Sequence, residues 1–517
     1  MDPESAIMDA SDRKLPFDVR TATVTTLYGL LQAGQTTVVE IVEAYLAQIE
    51  RHNKAGLGLR AIISTAPRQT VLSWAEKLDC ERRNGKVRSA LHGIPIVVKD
   101  AIVTSKALGM PTTAGATVFD KTYGKKNAEV IDSLLQSGLV ILGKASMTEF
   151  CGLKAQCMTA GWSAINGLTQ SAYIPGGFRE DDIFIGRSGP GGSSSGSAVG
   201  VSAGFAPLSL GTETSGSICM PANRAGLYSL KVTGGTISTE GLFTLSRDFD
   251  GLGGMAKSPE DLGLLINLLN GTHNSDAQSL KWEDISVGFV DPIVWNAFQF
   301  QKTRDEVVEK QILDGYEWAK SQITQRGAKV VYPIRLPAME DLRYDGKSVN
   351  HSVSFFEFPE QFRKFCALLE DPEVRSVQEL IDFNNNNAAR AMPKPHTDQT
   401  DLIQTLKSSM TSETVAAAKA HGRRLAGSQG IDIALIENEI DMIIGPGDCS
   451  ICAVAALVGY PTAMVPLGRL EGPRGMGQPQ GLMIVGGTRG ESKILDFMKL
   501  WERVIGPWRI PPLLQTE

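Results

Sequence analysis

The stretch from Gly186 to Gly235, GRSGPGGSSSGSAVGVSAGFAPLSLGTETSGSICMPANRAGLYSLKVTGG, gathers glycine, serine and threonine into two clusters separated by the apolar run Ala198 to Leu210. A flexible linker would not carry that run, so we expect a buried element joining two tight turns. No Gly-Lys-Ser/Thr follows the glycines, which removes a phosphate cradle. What remains is serine chemistry: a hydroxyl held in a turn becomes a nucleophile once a nearby base takes its proton. Gly192-Ser193-Ser194-Ser195-Gly196 fits the G-x-S-x-G elbow with Ser194 as nucleophile, but that arrangement calls for a late histidine. The last of the 6 histidines, His421, lies roughly a hundred residues before the end, and His52, His92, His273, His351 and His396 stand in no triad-like context. With no H-E-x-x-H and no clustered Cys/His set, no metal and no cofactor are implied.

The elements that must position such serines read as α/β throughout. Thr37-Val-Val-Glu40 is a capping box opening a helix whose Ile41, Val42, Tyr45, Leu46 and Ile49 make one apolar face. Ile94 to Val98 is a short β-branched run that predicts a buried strand ending at Lys99. Glu129 to Gln136 predicts a helix stopped by Gly138, and Leu139 to Leu142 the strand after it. Further strands are expected at Val287 to Val290, Lys329 to Tyr332, Met442 to Ile444, Thr462 to Val465 and Leu482 to Val485, with a helix over Asp305 to Arg326. Without repeats or a long linker, a single domain over residues 24–515 is expected, preceded by an N-terminal extension, residues 1–23, that need not be ordered.

Several motifs occur together in one order. The run GGSSSGSAVGVSAGFAPLSLGTETSGSICMPANRAGLYSLKV resembles the amidase signature family, as do GIPIVVKD, TTAGATVF, GLVILGKASMTEF, GWSAINGLTQ, GLGGMAKSPEDLGLLINLLNG and ALVGYPTAMVPLG. Ser193 and Ser217 are 24 residues apart, the family's interval between its two active serines. The resemblance implies an α/β fold with a large mixed, twisted β-sheet surrounded by α-helices. It implies Lys99 as base, Ser193 as proton relay after a cis Gly192–Ser193 peptide, and Ser217 as the acyl-forming nucleophile. Backbone N–H groups of Thr214, Ser215, Gly216 and Ser217 map onto the oxyanion hole, and Cys151 falls among the substrate-binding positions. The implied activity is hydrolysis of a carboxylic amide, a non-peptide carbon–nitrogen bond, to acid and ammonia or amine. The alternatives are acyl transfer to another nucleophile and a glutamine-amidotransferase-like subunit. A fungal-type branch is suggested by the long Ile174 to Ile185 stretch, expected beside the pocket.

The chemistry fits the residue types. Lysine serves as a base when neutral, and burial disfavours its ammonium form; a serine hydroxyl can accept one proton while donating another. Where the family has Asp, Gly and Arg, this chain has Glu213, Ser215 and Cys219, which leaves the bracing of the turn open. Loss of the arginine predicts an apolar pocket, with Met147, Phe150 and Cys151 beside the single charge of Glu149.

Composition narrows the setting. A net charge of −6 argues against a nucleic-acid partner. No apolar run approaches the length of a membrane span, and the acidic start lacks a signal-peptide core. The 7 cysteines (Cys80, Cys151, Cys157, Cys219, Cys366, Cys449 and Cys452) fit reduced thiols, and the Cys449-Ser-Ile-Cys452 spacing reads as incidental. A cytoplasmic enzyme acting on a small-molecule amide is expected, with a homodimer left open.

Overall fold

The computed structural model describes residues 15–156, 158–272, 280–301 and 304–515. Cys157, His273 and the first fourteen residues of the N-terminal extension lie outside them.

An 11-stranded mixed sheet forms the backbone of the molecule. Its strands run, edge to edge, Ile62–Thr65, Val140–Ala145, Pro95–Lys99, Leu208–Glu213, Gly251–Ala256, Tyr228–Lys231, Thr462–Arg469, Pro479–Gly486, Met442–Pro446, Ser286–Val290 and Lys329–Ile334. Pro95–Lys99 lies parallel to both neighbours, with Val98 opposite Lys144 on one side and Leu210 on the other. The centre is antiparallel, and parallel pairing returns where Ser286–Val290 meets Met442–Pro446 and Lys329–Ile334. Both faces are covered by helices, so the inner strands Pro95–Lys99, Val140–Ala145 and Leu208–Glu213 are buried at every residue.

The expected elements form with small shifts. Val38–His52 carries the full capping box of Thr37 and Glu40, and Ile41, Val42, Tyr45, Leu46 and Ile49 are all buried. Asp305 caps Glu306–Gln325 by accepting from the Val308 N–H. The run Ala198 to Leu210, expected as one buried element, divides into the helix Ser195–Ser202 and the strand beginning at Leu208. Gly204, at φ +73°, turns the chain between them. The helix is made of small residues because it lies on other backbone: a Cβ on Gly196 would stand 2.1 Å from the Ala61 carbonyl oxygen.

At the N-terminus, the Val19 carbonyl accepts from Lys257 Nζ at 3.1 Å and Arg20 donates to the Leu514 carbonyl at 2.8 Å. Among the described residues no helix is long and apolar enough to cross a membrane.

Candidate active site

Lys99 ends the Pro95–Lys99 strand, and its side chain turns into the protein, where it is wholly buried. Its Nζ sits 2.8 Å from Ser193 Oγ and donates to the Thr212 carbonyl at 3.0 Å. The parallel neighbour supplies that carbonyl, because register sets Val98 against Leu210, so that Thr212 follows just past the position facing Lys99. Burial holds the Lys99 ammonium below the ordinary lysine range, while Cys151, Asp250 and Glu213 pull the other way.

Ser193 follows a cis peptide bond after Gly192 and is almost fully buried. Its carbonyl accepts from the Thr148 N–H at 3.0 Å, and Thr148 Oγ1 accepts from the Gly161 N–H at 2.9 Å. Two loops therefore clamp this turn. Ser194 points elsewhere: its Oγ donates to the Thr212 carbonyl at 3.1 Å with no exposed surface, so the residue of the elbow motif is closed off. His92 bonds with Leu78 and Arg88, and His421 with the Asp341 carbonyl, so both imidazoles are engaged away from the serines.

The second turn, Thr214 to Ser217, leaves the end of Leu208–Glu213 and runs into the helix Cys219–Ala225. It is joined to the first because the Ser194 N–H donates to the Ser217 carbonyl at 3.1 Å. Gly216, at φ +78°, supplies the left-handed residue that the reversal needs. Ser217 is partly exposed, unlike Ser193. The N–H groups of Thr214, Ser215, Gly216 and Ser217 meet no protein acceptor among the described residues, so four successive donors stand free in one turn.

Glu213 answers how this turn is braced without the family's usual residues. Its Oε2 accepts from the N–H groups of Ile218 at 2.7 Å and Cys219 at 3.0 Å, and its Oε1 from Thr462 Oγ1 at 2.6 Å. Thr214 Oγ1 is held from the other side by Asp250, which also accepts from the N–H groups of Leu245 and Ser246. Sequence reasoning names neither Glu213 nor Asp250 as a bracing group; an acid at the end of an apolar strand is the signal that could have found the first. Ser215 makes a long contact with Cys452, and Cys219 is fully buried, its thiol pushed well up by burial.

The residues expected to line an apolar pocket divide. Met147 and Phe150 are fully buried in an aromatic core with Phe243, Phe358 and Phe362, so they pack and do not line an opening. Glu149 is locked against Lys154 Nζ at 2.7 Å and accepts from the Ala164 N–H, which removes it as a free charge. Phe150 and Cys151 are both left-handed, at φ +50° and +56°, and this strained pair sets Cys151, half-buried, beside Lys99. Positive charge does occur behind the turns: Arg187 and Arg224 both reach Asp448, at 3.4 and 3.2 Å, deep in the protein. The stretch Ile174 to Ile185 is knitted to the approach to Ser193, the Phe184 carbonyl accepting from Ala160 and Asp182 accepting from Ser188. Cys452 is a buried free thiol, raised to about 12 by burial, and Cys449 is buried and free as well.

A buried lysine, two serines on neighbouring turns and a row of free N–H donors come together at one end of a mixed α/β sheet. Residues 40–495 match the model of the family described as Amidase, and the chain belongs to that family. A probable amidase of Arabidopsis thaliana is 27% identical over 491 residues, 94% of this chain and 90% of its own. The native peptide amidase of Stenotrophomonas maltophilia superposes with a TM-score of 0.82 at 27% identity, over 96% of this chain and 99% of that one. A glutamyl-tRNA(Gln) amidotransferase component from Chloroflexus aggregans is 38% identical, but over 257 residues, 50% of this chain and 48% of its own. The protein is an amidase-signature hydrolase.

Proposed function

We propose that Ser217 attacks the carbonyl of a carboxylic amide, Ser193 relays its proton to neutral Lys99, and the resulting acyl-enzyme is discharged by water. The observation that carries this reading is the 2.8 Å contact between buried Lys99 Nζ and Ser193 Oγ, one turn away from a partly exposed Ser217. As the tetrahedral intermediate forms, its oxyanion is met by the free N–H groups of Thr214 to Ser217, which cost no reorganisation when the charge develops. On collapse, the proton returns through Ser193 to the leaving amine, which departs first; water then attacks the Ser217 acyl-enzyme, gives up its proton by the same relay, and the acid is released as Ser217 regains its proton. Cys151 forms part of the wall against which the substrate lies.

A fluorophosphonate probe, with peptide mapping of the adduct, tests the assignment. Label is expected on Ser217 and lost in Ser217→Ala, whereas Ser193→Ala slows labelling severely without moving it. Label on Ser194, with Ser217→Ala still active, would overturn the mechanism.

The identity shared with an amidotransferase component over half of the chain favours a second reading, in which glutamine is the amide and its ammonia passes to a partner. Glutaminase turnover and a co-purifying chain would support it; neutral acyl or aryl amides outcompeting glutamine would support the first. The single domain over residues 24–515 accords with the 11-stranded sheet running through the molecule. A cytoplasmic setting accords with the free cysteines among the described residues. The homodimer and the fungal-type branch rest on the sequence resemblance, and the solved relative named above is bacterial.

A further inference from the structure

Away from the catalytic turns, a cavity of about 440 Å³ opens between the end of the Thr462–Arg469 strand, the Glu306–Gln325 helix and the chain that follows the Glu491–Ile505 helix. Tyr173, Trp318, Trp508 and Leu467 are among the residues in its walls. Two cations, Arg469 and Arg509, stand on it, both exposed. Among the described residues neither has a hydrogen bond or ion-pair partner, and none of those that line the cavity is acidic. Behind the wall, Lys257 Nζ lies 5.4 Å from the Trp508 ring centroid. Burial brings that amine down to about 7, so the lasting charge of the cavity is that of the two arginines.

The lining joins aromatic side chains to polar atoms and two guanidinium groups. A volume of this size falls in the range that holds ligands, and mostly apolar walls with a few placed polar groups are their usual lining. The guanidinium fork matches carboxylate oxygens two at a time. An apolar body ending in one anionic group would lie against the aromatic walls with its carboxylate toward the arginines.

We propose that this cavity is a binding site, distinct from the catalytic turns, for an aryl or long-chain aliphatic carboxylate. Trp318 and Trp508 report on it directly, since both are in its wall. The probe is 2-naphthylacetate, titrated into the full-length protein while tryptophan fluorescence and heat are recorded, with neutral 2-naphthylethanol as the comparison. Saturable binding is expected, weakened roughly tenfold or more when the carboxylate is replaced by the alcohol, and likewise in the Arg469→Gln/Arg509→Gln double variant. Because neither arginine is bonded, that variant should melt where the parent does. Ser217→Ala, which alters the catalytic turn alone, should bind as the parent does. No saturable binding overturns the proposal, as does an unchanged affinity in the double arginine variant, or loss of binding in Ser217→Ala, which would put the probe in the catalytic site.

Discussion

Lys99 is the base of the proposed mechanism, and its surroundings set opposing demands on its proton. Burial strips the ammonium of water, while the Cys151 thiol, Asp250 and Glu213 favour keeping the charge. Burial is the largest of these effects, so the amine is available as a base below the pH at which an exposed lysine would be. kcat/KM should therefore rise with pH through a midpoint below the ordinary lysine value. Cys151 gives the sign of a second measurement. Removing a group that raises the lysine pKa must lower it further, so Cys151→Ala should move the rising limb of the pH profile to lower pH; a shift upward would contradict the proximity of thiol and amine. Lys99→Met, close in shape and uncharged, should abolish turnover while the protein still melts cooperatively. In the sequence, a strand ending on Lys99 and two serine turns would by themselves read as a surface lysine and ordinary turn serines; only the family resemblance carried by GIPIVVKD and the two turns, 24 residues apart, singled these residues out. Ser194 illustrates the limit: five letters of an elbow motif do not say which hydroxyl faces solvent, and here the strand beside it takes up its hydrogen bond.

At the scale of elements, the turn that carries Ser217 is held by a carboxylate from one strand and a hydroxyl from another. Glu213 satisfies the first two N–H groups behind Ser217 and is itself oriented by Thr462. A hydrogen bond to a charged group contributes about 1.5–3 kcal/mol, so Thr462→Val should lower kcat by roughly tenfold or more, with KM little changed because the substrate touches neither side chain. Glu213→Gln should be worse, since its amide can present N–H to N–H. Equal losses in kcat and in substrate affinity would point to general disorder of the turn and not to lost orientation. Elements with a clean period were readable: the box at Thr37 and Glu40, the strand into Lys99, the helix capped by Asp305. Those built on glycine were not. Gly251–Ala256, at the centre of the sheet, carries glycine at three of its six positions, because its neighbours approach closely enough that a Cβ on Gly253 would stand 2.3 Å from the Leu230 carbonyl oxygen. Such a strand has neither alternation nor β-branched residues to announce it.

Across the whole molecule, the site is tied to the helix Val349–Leu368 through packed rings. Phe243 and Phe365 meet edge to face at 5.1 Å, and Phe150 packs on both Phe243 and Phe362. Phe150 is the residue before Cys151, so the cluster that stabilises this part of the protein also fixes the left-handed pair beside Lys99. Phe362→Ala should destabilise by about 3–5 kcal/mol, visible as a lower melting temperature, and activity should fall even at temperatures where the variant stays folded. A variant that loses stability yet keeps full activity would uncouple the cluster from the site. This coupling was not legible in the sequence, where residues 150 and 362 lie far apart and nothing in either segment names the other as its partner.

The Glu213–Thr462 hydrogen bond also has a meaning in time. A ribosome makes Lys99, Ser193 and Ser217 early, but the strand that carries Thr462 emerges only in the last part of synthesis, and it must then enter the sheet beside Tyr228–Lys231. Until it does, the carboxylate behind the nucleophile lacks the hydroxyl that aims it. A nascent chain can thus hold Lys99, Ser193 and Ser217 while Glu213 still lacks one of the partners that orient it, and that partner arrives only when Thr462–Arg469 joins the sheet.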